Sequence, residues 1–220
     1  SGKFRSYAST YDLQDAFYEG GYDASAFDSI PAPSVWQNHG YDHHQYTNIR
    51  YPFPADPPYV PKENPCGAYL YDFTYQKDAA APRAFLKFEG VASCCYVWLN
   101  GQFVGYSQVA HSTSEFDVTK FLQDGTNHLA VLVLKWCDGS YMEDQDMFRM
   151  NGIFRDVYLL HRPEQCIEDY FITTDIDGST AEVAVRLRYY ESADATRITL
   201  YDAVGTKVSS LTPEEATENA

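Results

Sequence analysis

From residue 68 onward the chain alternates in short blocks. In AYLYDFTY, residues 68–75, a ring recurs at every second position: Tyr69, Tyr71, Phe73 and Tyr75. A period of two places all four on one face of a strand. AFLKFEG follows as a second strand. SCCYVWLNGQFVGYSQ then reads as two β-runs joined at Asn100-Gly101, the strongest short hairpin signal in the chain. HLAVLVLKW is continuously apolar, as a strand buried on both faces would be, and GIFRDVYLLH is a further strand. Only TSEFDVTKFL suggests a helical turn. Strands this short and this closely spaced predict an all-β fold over residues 1–162, a sandwich or a jelly roll.

Two stretches depart from that rhythm. Residues 20–66 hold most of the chain's eleven prolines, many aromatics and few periodic runs. Aromatics in such number need burial, so this is an ordered loop region wrapped on the scaffold and not a disordered one. After LLHRPEQCIEDY a new series begins: DYFITTDI, TAEVAVRLRYY, TRITLYDAV and KVSSL. These are about four strands where a closed sandwich needs about seven. Residues 163–220 are therefore expected to form an incomplete second domain whose open edges recruit a neighbour.

Composition narrows the partners. Apolar residues are 45% of the 220-residue chain, enough for a real core, and the formal charge is −15. Nucleic acid and anionic membrane both need a basic face, so neither is expected as a partner. The five cysteines, Cys66, Cys94, Cys95, Cys137 and Cys166, form no C-x-x-C pair and read as reduced, partly buried thiols. Adjacent Cys94 and Cys95 point to opposite faces of their strand. No signal peptide and no membrane-spanning run is present, which suits a cytoplasmic protein. SGKFRSYAST already reads as strand, so the chain is expected to begin inside a longer protein.

The candidate chemistry is concentrated in WCDGSYMEDQDMFRMNGIFRDV, residues 136–157. Five carboxylates (Asp138, Glu143, Asp144, Asp146 and Asp156) stand there among large apolar groups. A sugar has polar edges and apolar C–H faces, and a site for it needs fixed acceptors beside apolar surface. Composition alone equally allows a solvated acidic loop.

Several segments carry a resemblance: VWQNHGYDHHQYTNIRYPF, PPYVPKENPCGAY, FEGVASCCYVWLNGQFVGYSQ, SEFDVTKFL and WCDGSYMEDQDMFRMNGIFRDVYLLHRP, together about residues 35–163. On these the chain resembles the N-terminal part of glycoside hydrolase family 2 enzymes, most of all the bacterial large-subunit β-galactosidases. The V-W-x-N-G-x-x-V-G hairpin is shared with β-glucuronidases and β-mannosidases and marks the fold. The DGSYMEDQDMFRMNGIFRDV block marks the β-galactosidase branch. The resemblance implies a jelly-roll sugar-binding domain, then an immunoglobulin-like sandwich, then a TIM barrel carrying two catalytic glutamates that lie outside these 220 residues. This chain is then a non-catalytic portion of a retaining β-galactosidase, with a β-galactoside, its own barrel and other copies of itself as partners. The alternatives are a stand-alone carbohydrate-binding module, a β-glucuronidase- or β-mannosidase-type enzyme, or a purely structural cation-binding domain.

The resemblance also assigns residues. Asp146 matches the aspartate that accepts from a galactose hydroxyl and ligates sodium, and oxygen donors suit such a hard cation. Asn48 matches an asparagine lining the same pocket, where an amide both donates and accepts. Ile49 would be apolar wall. Gln108 and Asp138 match positions that help hold a structural magnesium, so that any site here is partial. Asp144 and Asp146 are two apart, but a catalytic acid–nucleophile pair in this loop is not expected, because the resemblance places those roles in the barrel. His43 and His44 lack the spacing of a metal pair. Asn64 reads as a turn former before Pro65.

Overall fold

A computed structural model of the chain describes residues 2–13, 15–143, 146–191 and 195–212. It contains seventeen strands and, among the described residues, no α-helix. In chain order they are β1 (Gly2–Tyr7), β2 (Asp28–Ile30), β3 (Gln45–Thr47), β4 (Cys66–Tyr75), β5 (Arg83–Phe88), β6 (Val91–Ala92), β7 (Cys94–Leu99), β8 (Gln102–Gln108), β9 (Ser114–Asp117) and β10 (Gly125–Leu134). They continue with β11 (Met147–Arg149), β12 (Gly152–Ile153), β13 (Val157–Arg162), β14 (Ile167–Asp177), β15 (Thr180–Tyr189), β16 (Ile198–Tyr201) and β17 (Lys207–Leu211). The chain divides into two compact units, residues 1–79 with 83–161, and residues 80–82 with 162–220.

In the first unit a six-stranded sheet, ordered β2-β1-β4-β10-β7-β8, faces a three-stranded one, β13-β5-β9. Their common core gathers Phe4, Tyr69, Val97, Leu99, Val131 and Val133 from the large sheet and Ala84, Leu86 and Phe88 from the small one. This is the jelly-roll β-sandwich. The apolar run of β10 is explained by its central place. Leu129, Val131 and Val133 enter the core between the sheets. Ala130 and Leu132 lie on the other face, beneath Phe17 and Phe27 of the loop after β1. A strand covered on both sides has no polar face to show.

The β7–β8 hairpin turns at Asn100 and Gly101, whose φ values of 53° and 77° both lie in the left-handed region that a two-residue primed turn demands. Gly67 answers a different need. A Cβ there would stand 2.5 Å from the Phe4 ring and 2.9 Å from that of Trp36, so only hydrogen fits. Residues 20–66 are ordered around buried Phe27, Ile30, Trp36 and Phe53.

In TSEFDVTKFL the helical turn is confined to residues 118–122, where the Phe121 and Leu122 N–H groups donate to the Val118 carbonyl, while Ser114–Asp117 pairs with β5. One local expectation is corrected. Asn64 is no simple turn former. It is buried, its Nδ2 donates 2.8 Å to the Trp136 carbonyl, and its Oδ1 accepts from the Trp136 N–H at 2.9 Å, clamping two distant segments.

The second unit consists of two antiparallel hairpins, β14–β15 and β16–β17. Among the described residues no helix of the chain is long and apolar enough to cross a membrane.

Candidate functional site

The candidate site is a short antiparallel ribbon of β3 and β11, with Thr47 opposite Met147, Tyr46 opposite Phe148 and Gln45 opposite Arg149. The two strands lie about a hundred residues apart in sequence, and a buried network joins the segments that lead into them. Gln37 Nε2 donates to Asn151 Oδ1 at 3.1 Å, and the Asn151 N–H returns a bond to Gln37 Oε1 at 3.0 Å. Gln37 Nε2 also reaches Asp42, 3.0 Å away, which in turn accepts from the buried Lys135 ammonium at 2.6 Å. Amide pairs and an ion pair of this kind are satisfied only when both segments are in place, so they fix the ribbon's base.

Alternation then sorts the ribbon's side chains. Arg149 is buried and its Nε donates to Thr47 Oγ1 at 3.2 Å. Tyr46 and Phe148 face solvent, 55% and 53% exposed, with ring centroids 5.7 Å apart. Asn48 and Asp146 stand just beyond the strand ends in the same parity as these rings. The Tyr46 hydroxyl donates to Asp146 Oδ1, and the Asn48 side chain stands close enough to oppose that bond's effect on the phenol. The bond to Asp146 pushes the Tyr46 phenol above its ordinary value, with partial desolvation and the carboxylate's charge adding to it and Asn48 opposing. A carboxylate, an amide, a phenol and two aromatic rings thus share one exposed face. That set can accept from and donate to a hydroxylated ligand while offering apolar surface to its C–H face.

The structure therefore brings Asn48 and Asp146 together across 98 positions of sequence. Tyr46 was not singled out from sequence, although its place two residues before Asn48 was the available signal. Ile49 is 86% exposed. Asp144 lies outside the described residues. His44 packs its ring edge-on to Phe148, 6.1 Å away, and among the described residues no group of three or more His, Cys, Asp or Glu side chains could hold a metal.

The other candidate pair meets at a different corner. Gln108 ends β8, and its carboxamide carbon lies 3.5 Å from where a Cβ of Gly139 would be, next to Asp138. Gln108 Oε1 accepts from the Tyr106 hydroxyl at 2.8 Å, and Asp138 Oδ1 accepts from the Gly139 N–H at 2.9 Å. Beside them Cys137 is held below the ordinary thiol range because the Cys94 thiol donates to it, while Cys94 is pushed up by the same bond and by burial. As oxygen donors, Gln108 and Asp138 suit a hard cation but supply only part of an octahedral shell. At the ribbon, one carboxylate flanked by neutral oxygens suits a singly charged ion better than a divalent one.

Sandwich and ribbon define a small all-β domain built to present polar and aromatic loop residues. Residues 2–163 match the family described as glycosyl hydrolases family 2, sugar binding domain, and the chain belongs to that family. A β-galactosidase of Actinobacillus pleuropneumoniae is 57% identical over 174 residues, 79% of this chain and 17% of that protein. One from Staphylococcus xylosus is 45% identical over 185 residues (83% and 19%), and one from Vibrio cholerae 44% over 197 (88% and 19%). The chain thus spans less than a fifth of the length of these curated relatives. Among solved structures, a β-glucuronidase from an uncultured Clostridium superposes with a TM-score of 0.74 over 96% of this chain and 36% of its own, at 21% identity. A β-glucuronidase of Bacteroides uniformis gives 0.73 over 97% of this chain and 24% of its own, also at 21% identity. At that identity the likeness concerns the fold alone.

Proposed function

We propose that this chain is the N-terminal, non-catalytic portion of a retaining β-galactosidase, acting on terminal non-reducing β-D-galactosides. The observation that carries the reading is the ribbon face, where Tyr46 bonds Asp146 beside Asn48. The names of the relatives support the sugar and the enzyme class. In this reading the ribbon lends Asn48 and Asp146 to a pocket completed by a TIM barrel of the same polypeptide, which holds both catalytic glutamates. Asp146 accepts from a galactosyl hydroxyl and ligates a sodium ion that organises the oxygens around it. Tyr46 holds the carboxylate in place, and Asn48 bonds a neighbouring hydroxyl. Gln108 and Asp138 contribute to a structural magnesium site. The enzyme is cytoplasmic and forms homo-oligomers. Sodium and magnesium serve the whole enzyme.

The test uses the full-length enzyme that contains this chain. Asp146→Asn keeps the shape and removes the charge. A charge-assisted hydrogen bond is worth roughly 1.5–3 kcal/mol, so kcat/KM for an aryl β-galactoside should fall about ten- to a hundredfold or more, and its sodium dependence should weaken. Wild-type kinetics at every sodium concentration would refute the role of Asp146. The 220-residue chain alone should hydrolyse no aryl β-galactoside, because cleavage requires both a nucleophile and an acid.

A further inference from the structure

The outer face of the six-stranded sheet holds a cleft of about 390 Å³. That is within the range of sites for small molecules and roomy enough for one or two sugar rings. Its floor comes from three neighbouring strands: Lys3 on β1, Asp72 on β4 and His128 on β10. Its wall is the loop that carries Tyr18, Glu19 and Tyr22. None of these residues belongs to the β3–β11 ribbon or to the Gln108–Asp138 corner.

We propose that this cleft is a second carbohydrate-binding site, one that takes a neutral mono- or disaccharide independently of the ribbon. Its polar groups are fixed by the sheet. His128 and Asp72 are cross-strand partners in register, and His128 Nδ1 meets Asp72 Oδ1 at 2.6 Å. The β1–β4 register places Lys3 at the floor of the cleft, with its side chain exposed. The rings of the wall are held by packing. Tyr18 stacks on Trp98 with centroids 5.0 Å apart and planes 10° from parallel, and Tyr22 meets Phe27 edge-on at 5.7 Å. Gly21 turns the loop between the wall residues at φ +82°, a conformation that favours glycine. Side chains fixed before the ligand arrives lose little freedom on binding.

Charge selects the ligand class. One lysine and one histidine stand with two carboxylates, Glu19 and Asp72, so an anion is not favoured. An ammonium that donates, carboxylates that accept and the free imidazole nitrogen match the alternating hydroxyls of a neutral sugar, and half-buried tyrosine rings match its C–H face.

The test is titration of the ¹⁵N-labelled 220-residue chain with lactose and with cellobiose, followed by amide shifts. Saturable shifts at Lys3, Asp72 and His128 are expected, with dissociation constants of about 1 mM. Asp72→Asn, a surface change, and Tyr22→Ala, which also removes packing on Phe27, should each weaken binding at least tenfold, and Asp72→Asn should leave the remaining spectrum intact. Asp146→Asn should leave these shifts unchanged. The proposal is overturned if neither sugar gives saturable shifts at those amides up to about 50 mM, if Asp72→Asn binds as the wild type does, or if Asp146→Asn abolishes the shifts. The last outcome would assign all binding to the ribbon, so failure of this site and failure of the ribbon reading are distinguishable.

Discussion

β10 and β15 are both ten residues long, both antiparallel and both rich in Val and Leu, yet one is buried and the other open. Leu129, Val131 and Val133 of β10 are covered by the opposing sheet, and Ala130 and Leu132 by the loop after β1. In the β14–β15 hairpin, Val183, Val185 and Leu187 line up with Thr174, Ile172 and Tyr170 to give an apolar row of equal quality. Its members remain largely in water: Ile172 is 53% exposed and Tyr170 65%. Strand formation is thus a local property of alternating sequence, whereas burial requires a second layer. A hairpin alone is marginal, and an uncovered apolar face of this kind invites pairing or cover.

The comparison breaks most visibly if a charge is placed in each strand. Val131→Asp puts a carboxylate into the core, 1% exposed in the parent residue. An unpaired buried charge costs several kcal/mol, on the order of the whole stability of a domain. Val183→Asp on β15 places the same charge in water. All three tryptophans (Trp36, Trp98 and Trp136) lie in the first unit, so their fluorescence reads that unit alone. Val131→Asp should abolish the cooperative tryptophan transition and Val183→Asp should leave it in place. Equal losses would show that the first unit depends on the second for its stability.

A smaller effect comes from the polar side of the same contrast. Asn127 is fully buried; its Oδ1 accepts from Asn100 Nδ2 at 2.8 Å and from the Gln123 N–H at 3.0 Å, and its Nδ2 donates to the Gln123 and Gly125 carbonyls. Asp202 organises the β16–β17 turn in a similar way, accepting from the N–H groups of Val204 and Thr206, but it does so in solvent. Asn127→Ala strands several buried partners and should cost about 2–3 kcal/mol, a fall of roughly 5–10 °C in the melting temperature read by tryptophan fluorescence. Asp202→Ala, in the second unit, lets water replace what is lost, and its effect on melting followed by far-UV circular dichroism should stay below about 2 °C. A shift below about 2 °C for Asn127→Ala would remove the distinction between buried and solvated turn networks.

What sequence made legible follows the same line. The β7–β8 hairpin could be read because Asn100-Gly101 states its own turn, and β10 could be read because a strand covered on both faces shows no polar alternation. The reduced thiols and the wrapped aromatic loop were legible from composition. Asn64 was misread because its partner, Trp136, is 72 residues away. In TSEFDVTKFL the helical turn was legible at residues 118–122, whereas the pairing of Ser114–Asp117 with β5, a distant partner, was not. At the ribbon, Asn48 and Asp146 came from family resemblance and not from periodicity. Tyr46, which bonds Asp146 beside Asn48, came from neither, since a phenol and a carboxylate a hundred residues apart leave no periodic trace. The outer cleft was invisible for the same reason, its floor being drawn from three strands and its wall from a loop.

The smallest expected effect lies at that link and tests whether long-range placement alone has altered a side chain's chemistry. Tyr46 donates to Asp146, which favours the neutral phenol and raises its pKa above the ordinary value of 10.0. The sign follows directly. A group whose pKa is raised by folding supports the fold while protonated, so the link is fully made below the unfolded tyrosine pKa and is lost as pH rises through the folded one. Tyrosine ¹³Cζ shifts followed by NMR from pH 8 to 12, with Tyr46 assigned by its absence in Tyr46→Phe, should show it titrating later than a solvated tyrosine. Asp146→Asn removes the carboxylate that raises it, so the Tyr46 pKa should move down. Asn48→Ala removes a neighbour that lowers it and should move it up. Titration of Tyr46 at the ordinary tyrosine value in the parent chain, or an unchanged value in both variants, would show that the hydroxyl does not bond Asp146 beside Asn48 in solution.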